Sequence, residues 1–459
     1  MTPQTAALAV QLPGFAGTAL PEEYAGLLAA GLGGICLFGS NTADGPDATT
    51  RLVGAIHDAG PGSVVAIDEE GGDVTRLHAV EGSPVLGAAA LGALDDLELT
   101  ERTGAAVGDE LRRHGIDLCL APVADLNTNA ANPVIGTRSF GTDPHRAAAH
   151  VAAWVRGVQA AGVAACVKHY PGHGDTADDS HLALPVVEVD GATLNERELV
   201  PFAAAVAAGC RSVMTSHIVV PAIDPERPAT FSPSLLALLR ERLGFDGAVV
   251  SDALDMAGAS GPTRGIPEAA VLALAAGVDL LCLGPETDPA LVEGVREAIL
   301  RAVTDGRLTE ERLLEAAARA ATVGRHAPAE TLERPDPARA ALTVEGQLPD
   351  LHGAVLARVD STPSIAVGAV PWGLPTDLAV DPDDPRAAER LRSTGGPLVV
   401  QVRDAHRSPA TVALLRELEP VAALVVEWGW PGPAASATPR VCTHGTSQPA
   451  YRAVRELLG

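Results

Sequence analysis

Eight short apolar segments recur between residues 6 and 283, and most run straight into polar or glycine residues at their C-terminal side. They are 6–12, 34–38, 63–67, 116–121, 163–167, 212–215, 248–250 and 279–283. Amphipathic stretches rich in Ala and Leu separate them, for example 147–161, 194–208 and 234–243. The last of these opens with Ser232-Pro233, an N-cap residue followed by proline at the first helical position. Strand, helix, strand, repeated eight times, predicts an α/β fold led by a (β/α)8 TIM barrel. The long step from the third segment to the fourth leaves room for an extra helix. A helix over 309–323 ends the barrel region, taken as 1–325, and 326–341, with its prolines and mixed charges, reads as a linker. Alternation then resumes over 342–459. Strands are expected at 354–359, 364–370, 397–402, 423–427 and 440–443, with helices at 385–393, 408–418 and 448–458. This is the pattern of a smaller C-terminal α/β sandwich domain.

Composition narrows the partners. A formal net charge of −25 opposes nucleic acid and anionic membrane, since a polyanion repels both. No apolar run is long enough to span a bilayer, and Met1 to Leu20 carries no Lys or Arg, so neither an anchor nor a signal peptide is read. The cysteines, at 36, 119, 166, 210, 282 and 442, form no CxxC pair, and four lie inside strand-like runs. They read as small buried hydrophobes in a reducing compartment, and the expected location is the cytoplasm. Nothing in the sequence sets an oligomeric state.

In a barrel of this kind the reactive groups stand at the C-terminal ends of the strands. The third segment ends in Asp68-Glu69-Glu70-Gly71-Gly72, with Arg76 shortly after. The fourth runs into Asp125-Leu-Asn127 and then into 132–141, which carries Arg138. The fifth delivers Lys168 and His169 and then a loop reaching His181. Residues 166–181 hold one Lys, three His and three Asp, and Gly172 and Gly174 let this chain turn tightly and stay mobile. The sixth ends at Ser216-His217 and the seventh at Ser251-Asp252. Taken alone, Asp252 reads equally well as a helix N-cap.

A carboxylate facing a proton carrier across a polar pocket suits transfer of a glycosyl group to water. His181 is the candidate proton carrier, because imidazole titrates near neutral pH, and Asp179 is placed to hold its other ring nitrogen. A second reading makes His169, His173, Asp175 and His181 ligands of a divalent metal. Their spacing is not that of one helix face, so no metal and no cofactor is expected.

The run 168–181, Lys-His-Tyr-Pro-Gly-His-Gly-Asp-Thr-Ala-Asp-Asp-Ser-His, closely resembles the signature of bacterial β-N-acetylglucosaminidases (β-hexosaminidases) of glycoside hydrolase family 3. Ile67-Asp-Glu-Glu-Gly-Gly72, Pro122-Val-Ala-Asp-Leu-Asn127, the 132–141 run and Ser251-Asp-Ala-Leu-Asp-Met256 are similar too, in family order. The resemblance implies a retaining, exo-acting enzyme that releases terminal β-linked N-acetylglucosamine from peptidoglycan fragments or chitooligosaccharides. In it Asp252 is the nucleophile, His181 the acid/base and Asp179 its dyad partner. Asp68, Arg76, Arg138, Lys168 and His169 hold the sugar hydroxyls. It also implies the alternatives, a β-glucosidase of the family or a phosphorylase using the same residues. A sugar-binding protein without activity is the reading from another class. Departures from the pattern are Tyr170 for Phe, Glu69 for Gln or His, Asp73 for a basic residue, and Ala253 for a second Asp. The last leaves Asp252 as the one carboxylate expected at the tip of strand seven, and Asp73 bears on leaving-group preference.

Overall fold

Short apolar runs flanked by amphipathic helices pair in parallel, because each helix covers the outer face of the strands it joins. The computed structural model describes residues 1–176, 184–261, 263–324, 326–327, 335–336, 340–368, 370–376 and 378–459. Its barrel strands are β1 (Gln11–Pro13), β2 (Gly34–Leu37), β3 (Val64–Ile67), β4 (Leu118–Cys119), β5 (Ala164–Tyr170), β6 (Ser212–Thr215), β7 (Ala248–Val250) and β8 (Leu281–Gly284). Parallel ladders join β2 through β7 in chain order, Val250 bridges to Leu280 beside β8, and β8 pairs with β1. At the seam between β1 and β2 the Gly33 amide donates to Leu8 O at 3.1 Å. A Cβ on Gly33 would lie 2.2 Å from Ala9 O, so the close approach there requires glycine.

Inward side chains such as Leu12, Cys36, Ala66, Leu118, Cys166, Met214 and Val250 fill the barrel, and a larger apolar shell packs between strands and helices. All six cysteines are buried and free. The room between β3 and β4 holds two helices, Ala88–Leu94 and Leu97–Arg113. One expectation fails at the start of the chain. Residues 6–12 are not a single strand: Pro3–Ala9 is a helix, capped by Thr2 with proline at its first turn, and only Gln11–Pro13 is extended. Among the described residues no helix is long and apolar enough to cross a membrane.

The second sheet contains β9 (Thr343–Glu345), β10 (Val355–Val359), β11 (Leu378–Val380), β12 (Leu398–Val402), β13 (Ala422–Glu427) and β14 (Arg440–Cys442), in the order β9-β14-β13-β12-β10-β11. All pairs are parallel except β9 with β14. Alternation along β12 sends Leu398, Val400 and Val402 to one apolar layer and Val399 to the other, which makes the sandwich. Trp428 is fully buried in the second layer, with Trp372 packed on it, so the tryptophans there serve packing. The described residues of 364–370 form no strand, contrary to expectation; they make turns that lean on the barrel rim. Residues 328–334 and 337–339 of the expected linker lie outside the described residues.

Candidate active site

β5 is buried along its whole length and ends on the two residues that the sequence singled out. The Lys168 ammonium, 2% exposed as a residue, lies 2.6 Å from Asp68 Oδ1 and 2.7 Å from Glu70 Oε1. Asp68 and Glu70 follow directly from β3. Glu70 in turn takes the Arg138 fork, Nε at 3.0 Å and Nη2 at 2.8 Å, and the Arg76 guanidinium stands 3.6 Å from Asp68 Oδ2. The result is an alternating chain, Arg76, Asp68, Lys168, Glu70, Arg138. Burial alone would raise the Glu70 pKa, but Arg138 and Lys168 overcome it and hold the carboxyl at about 2. Asp68 is likewise held below its ordinary value against its burial, by Lys168 and Arg76. Lys168 is raised by Asp68 and Glu70 despite burial. Asp68, Glu70 and Lys168 are therefore charged, and with the two guanidinium groups they make charge-assisted donors and acceptors set around one space.

Asp125, 1% exposed, organises the other half of the rim. It accepts the His169 ring Nδ1 at 2.7 Å and the His173 amide at 2.7 Å. Burial would raise its pKa, and His169 brings it below the ordinary value. Asn132 braces the same stretch, donating to His173 O and Thr176 O and accepting the Val134 and Ile135 amides that lead to Arg138. Burial holds the His173 imidazole near a pKa of about 4, so it is neutral at neutral pH, and its Nδ1 meets Thr176 Oγ1 at 2.9 Å. Gly174 serves contact rather than slack here: a Cβ would sit 1.7 Å from Leu126 O. Asp175 pairs with Arg197 at 2.5 Å. Among the described residues no group of three His, Cys, Asp or Glu is arranged to hold a metal.

Asp252 stands two residues past β7 with the buried wall of that strand behind it, and its Oδ1 accepts the Ala253 amide at 2.8 Å. It caps no helix; the next one is Ala257–Ser260, with Met256 at its N-cap. Asp252 opens onto a cavity of about 300 Å³ that Asp68, Arg76, Arg138, Lys168 and His169 also line. The structure thus brings together six residues singled out from sequence. The other two, Asp179 and His181, lie outside the described residues. Three things went unread. Glu70 and Asp125 sat inside quoted motifs without a role, although carboxylates amid cations were the signal. Asp255 also lines the cavity, so Asp252 is not the one carboxylate at the tip of strand seven. Ile365 and Ala366 reach the cavity from the second domain, and no local pattern marks them.

A further carboxyl lies behind the loop. Glu198 is 1% exposed; its Oε1 meets Arg197 Nε at 2.6 Å, and its Oε2 is buried against Gly172 with no hydrogen-bond partner among the described residues. Burial pushes its pKa up to about 7. The folded value is above the unfolded one, so this contribution to stability is whole below about pH 4.5 and is lost as pH rises through about 7. Glu198→Gln removes that loss. Denaturant unfolding at pH 5 and pH 8 is expected to show wild type losing roughly 2–3 kcal/mol more than the variant. Equal losses in both proteins would refute it.

Fork-shaped donors and paired carboxylates on the C-terminal rim of this barrel suit a ring bearing hydroxyls on every side, the class of ligand that a glycoside hydrolase takes. The chain belongs to glycosyl hydrolase family 3, whose N-terminal domain model matches residues 11–323. It is 34% identical over 332 residues to Beta-hexosaminidase A of Pseudoalteromonas piscicida, spanning 66% of this chain but only 55% of that protein. It is 40% identical over 260 residues to the Beta-hexosaminidase of Xylella fastidiosa (strain M23), covering 54% of this chain and 76% of the relative. The solved family 3 β-N-acetylglucosaminidase from Paenibacillus sp. str. FPU-7 superposes with a TM-score of 0.88 at 31% identity, covering 100% of this chain and 96% of that one.

Proposed function

We propose that this chain is a retaining exo-β-N-acetylglucosaminidase acting on peptidoglycan fragments or chitooligosaccharides. One arrangement carries the reading: Asp252 opens onto the same cavity as Asp68, Arg76, Arg138, Lys168 and His169. At about 300 Å³ the cavity is at the small end of ligand pockets, which suits one terminal sugar rather than an internal stretch of polymer. Asp68, Glu70, Lys168 and Arg138 bind and orient the hydroxyls. Asp252 attacks the anomeric carbon, the glycosidic bond breaks as the covalent ester forms, and water later displaces the carboxylate with net retention. His181 gives its proton to the leaving oxygen and then takes one from the incoming water. Asp179 holds its other ring nitrogen.

Cleavage of nitrophenyl β-N-acetylglucosaminide against the matching glucoside tests the substrate class. Preference for the glucoside overturns this reading in favour of a β-glucosidase. Running the reaction with and without phosphate separates hydrolysis from phosphorolysis, since a sugar 1-phosphate forms only in the second. His181→Ala is expected to lower turnover of chitooligosaccharides by about 10²- to 10⁴-fold and of a dinitrophenyl glycoside far less, because only the former needs a proton on the departing oxygen. Equal losses on both substrates would remove His181 from the acid role.

A further inference from the structure

The turn after β3 carries Asp68, Glu70 and Arg76, and the second domain grips it at two points. The Glu70 amide donates to Val74 O at 3.0 Å, which makes a tight turn with Asp73 near its tip. Gly71 and Gly72 take φ of 82° and 58°, conformations that suit glycine. Asp73, 4% exposed, enters the crevice outside the carboxyl ends of β12 and β14, where open α/β sheets usually place a ligand. There its Oδ1 takes Arg403 Nη2 at 3.1 Å and Thr446 Oγ1 at 2.6 Å, and its Oδ2 takes Thr137 Oγ1 at 2.5 Å. Gly445 makes the space: a Cβ on it would lie 2.9 Å from Asp73 Oδ2. Arg403 is 8% exposed, so this is a buried pair.

The second grip is on Arg76. Its Nη2 donates to Ala366 O at 3.0 Å and its Nη1 to Val367 O at 3.4 Å, while Val74 packs with Val367 and Val370. Thr137 adjoins Arg138. Glu70 and Arg76, which order the sugar pocket, are therefore each three residues from Asp73, and Arg138 is next to its partner Thr137.

We propose that the second domain sets the geometry of the sugar pocket through the Asp73–Arg403 contact, and that Asp73, Arg403 and Thr446 are positioning residues for the reaction. The proposal rests on the function given above. It assigns Asp73 to domain docking rather than to the leaving group. Displacing a binding group by an ångström costs up to about 10²-fold, so an effect on binding is expected well before unfolding.

The test uses the full chain with Arg403→Met, Arg403→Lys and Thr446→Val. KM for nitrophenyl β-N-acetylglucosaminide and the inhibition constant of free N-acetylglucosamine are measured well below each variant's melting temperature. Arg403→Met is expected to raise both by about tenfold or more, Arg403→Lys to recover most of the loss, and Thr446→Val to show a smaller rise. A lower melting temperature with both constants within about twofold of wild type would reduce the contact to structural docking and overturn the proposal. If Arg403→Met does not fold, Arg403→Lys and Thr446→Val carry the same comparison. A wild-type chain that ignores N-acetylglucosamine speaks against the function instead, and positioning is then read with glucose and the nitrophenyl glucoside.

Discussion

Asp252→Ala is expected to lower kcat by at least about 10⁴-fold, the scale seen when a nucleophile is deleted, while the melting temperature moves by no more than a few degrees. The two halves of that result have separate causes. Asp252 is half-buried at the rim, and the β7 residues behind it are fully buried with or without its carboxylate. Without the carboxylate, no covalent ester forms and water must attack an unassisted centre. The vacated space also makes a positive prediction. A small anion such as azide can enter it and attack from the same face, giving a glycosyl azide of inverted configuration and partial recovery of rate. The decisive comparison is with Asp255→Ala, because Asp255 lines the same cavity. If Asp255→Ala is the variant that loses activity and gains azide rescue, the nucleophile has been misassigned.

How much of this was legible in the sequence follows from what each signal depends on. β6 and β7 fall on the expected residues because a strand buried on both faces leaves a short unbroken apolar run between polar ends. Residues 6–12 do not form the expected strand, because such a run fits a buried helix as well as a strand, and the helix-start signals are Thr2 and Pro3. The 364–370 segment has strand-like composition, yet its backbone carbonyls serve Arg76 across the domain boundary, a tertiary use that leaves no local trace. The site divides the same way. Residues that line the cavity were readable from their position at strand ends. Asp125, which faces His169 and His173, was not, because its role lies in holding other protein groups. Asp73 looked like a substrate-side departure and is a domain contact, since Arg403 and Thr446 stand more than three hundred residues away.

Glu70→Ala is the substitution expected to cost the fold most. It leaves Lys168 and Arg138 buried with one carboxylate fewer between them, and an unmatched buried charge of this kind costs about 3–5 kcal/mol. Urea unfolding at pH 7 reads that loss directly. Glu70→Gln keeps the shape and removes only the charge, and its signature is in the pH dependence. The folded pKa of Glu70 is about 2, depressed from an ordinary 4.5, so its stabilisation is present above about pH 4.5 and is lost as pH falls through 2. That depression is worth roughly 3 kcal/mol, and the acid limb of the variant's stability curve is expected to be flatter by about that amount. Parallel acid limbs in the two proteins would mean that the Lys168 and Arg138 contacts add nothing net to the folded state. Glu70 would then be a binding group only, and the alternating chain of charges would be ordered by substrate rather than built in advance of it.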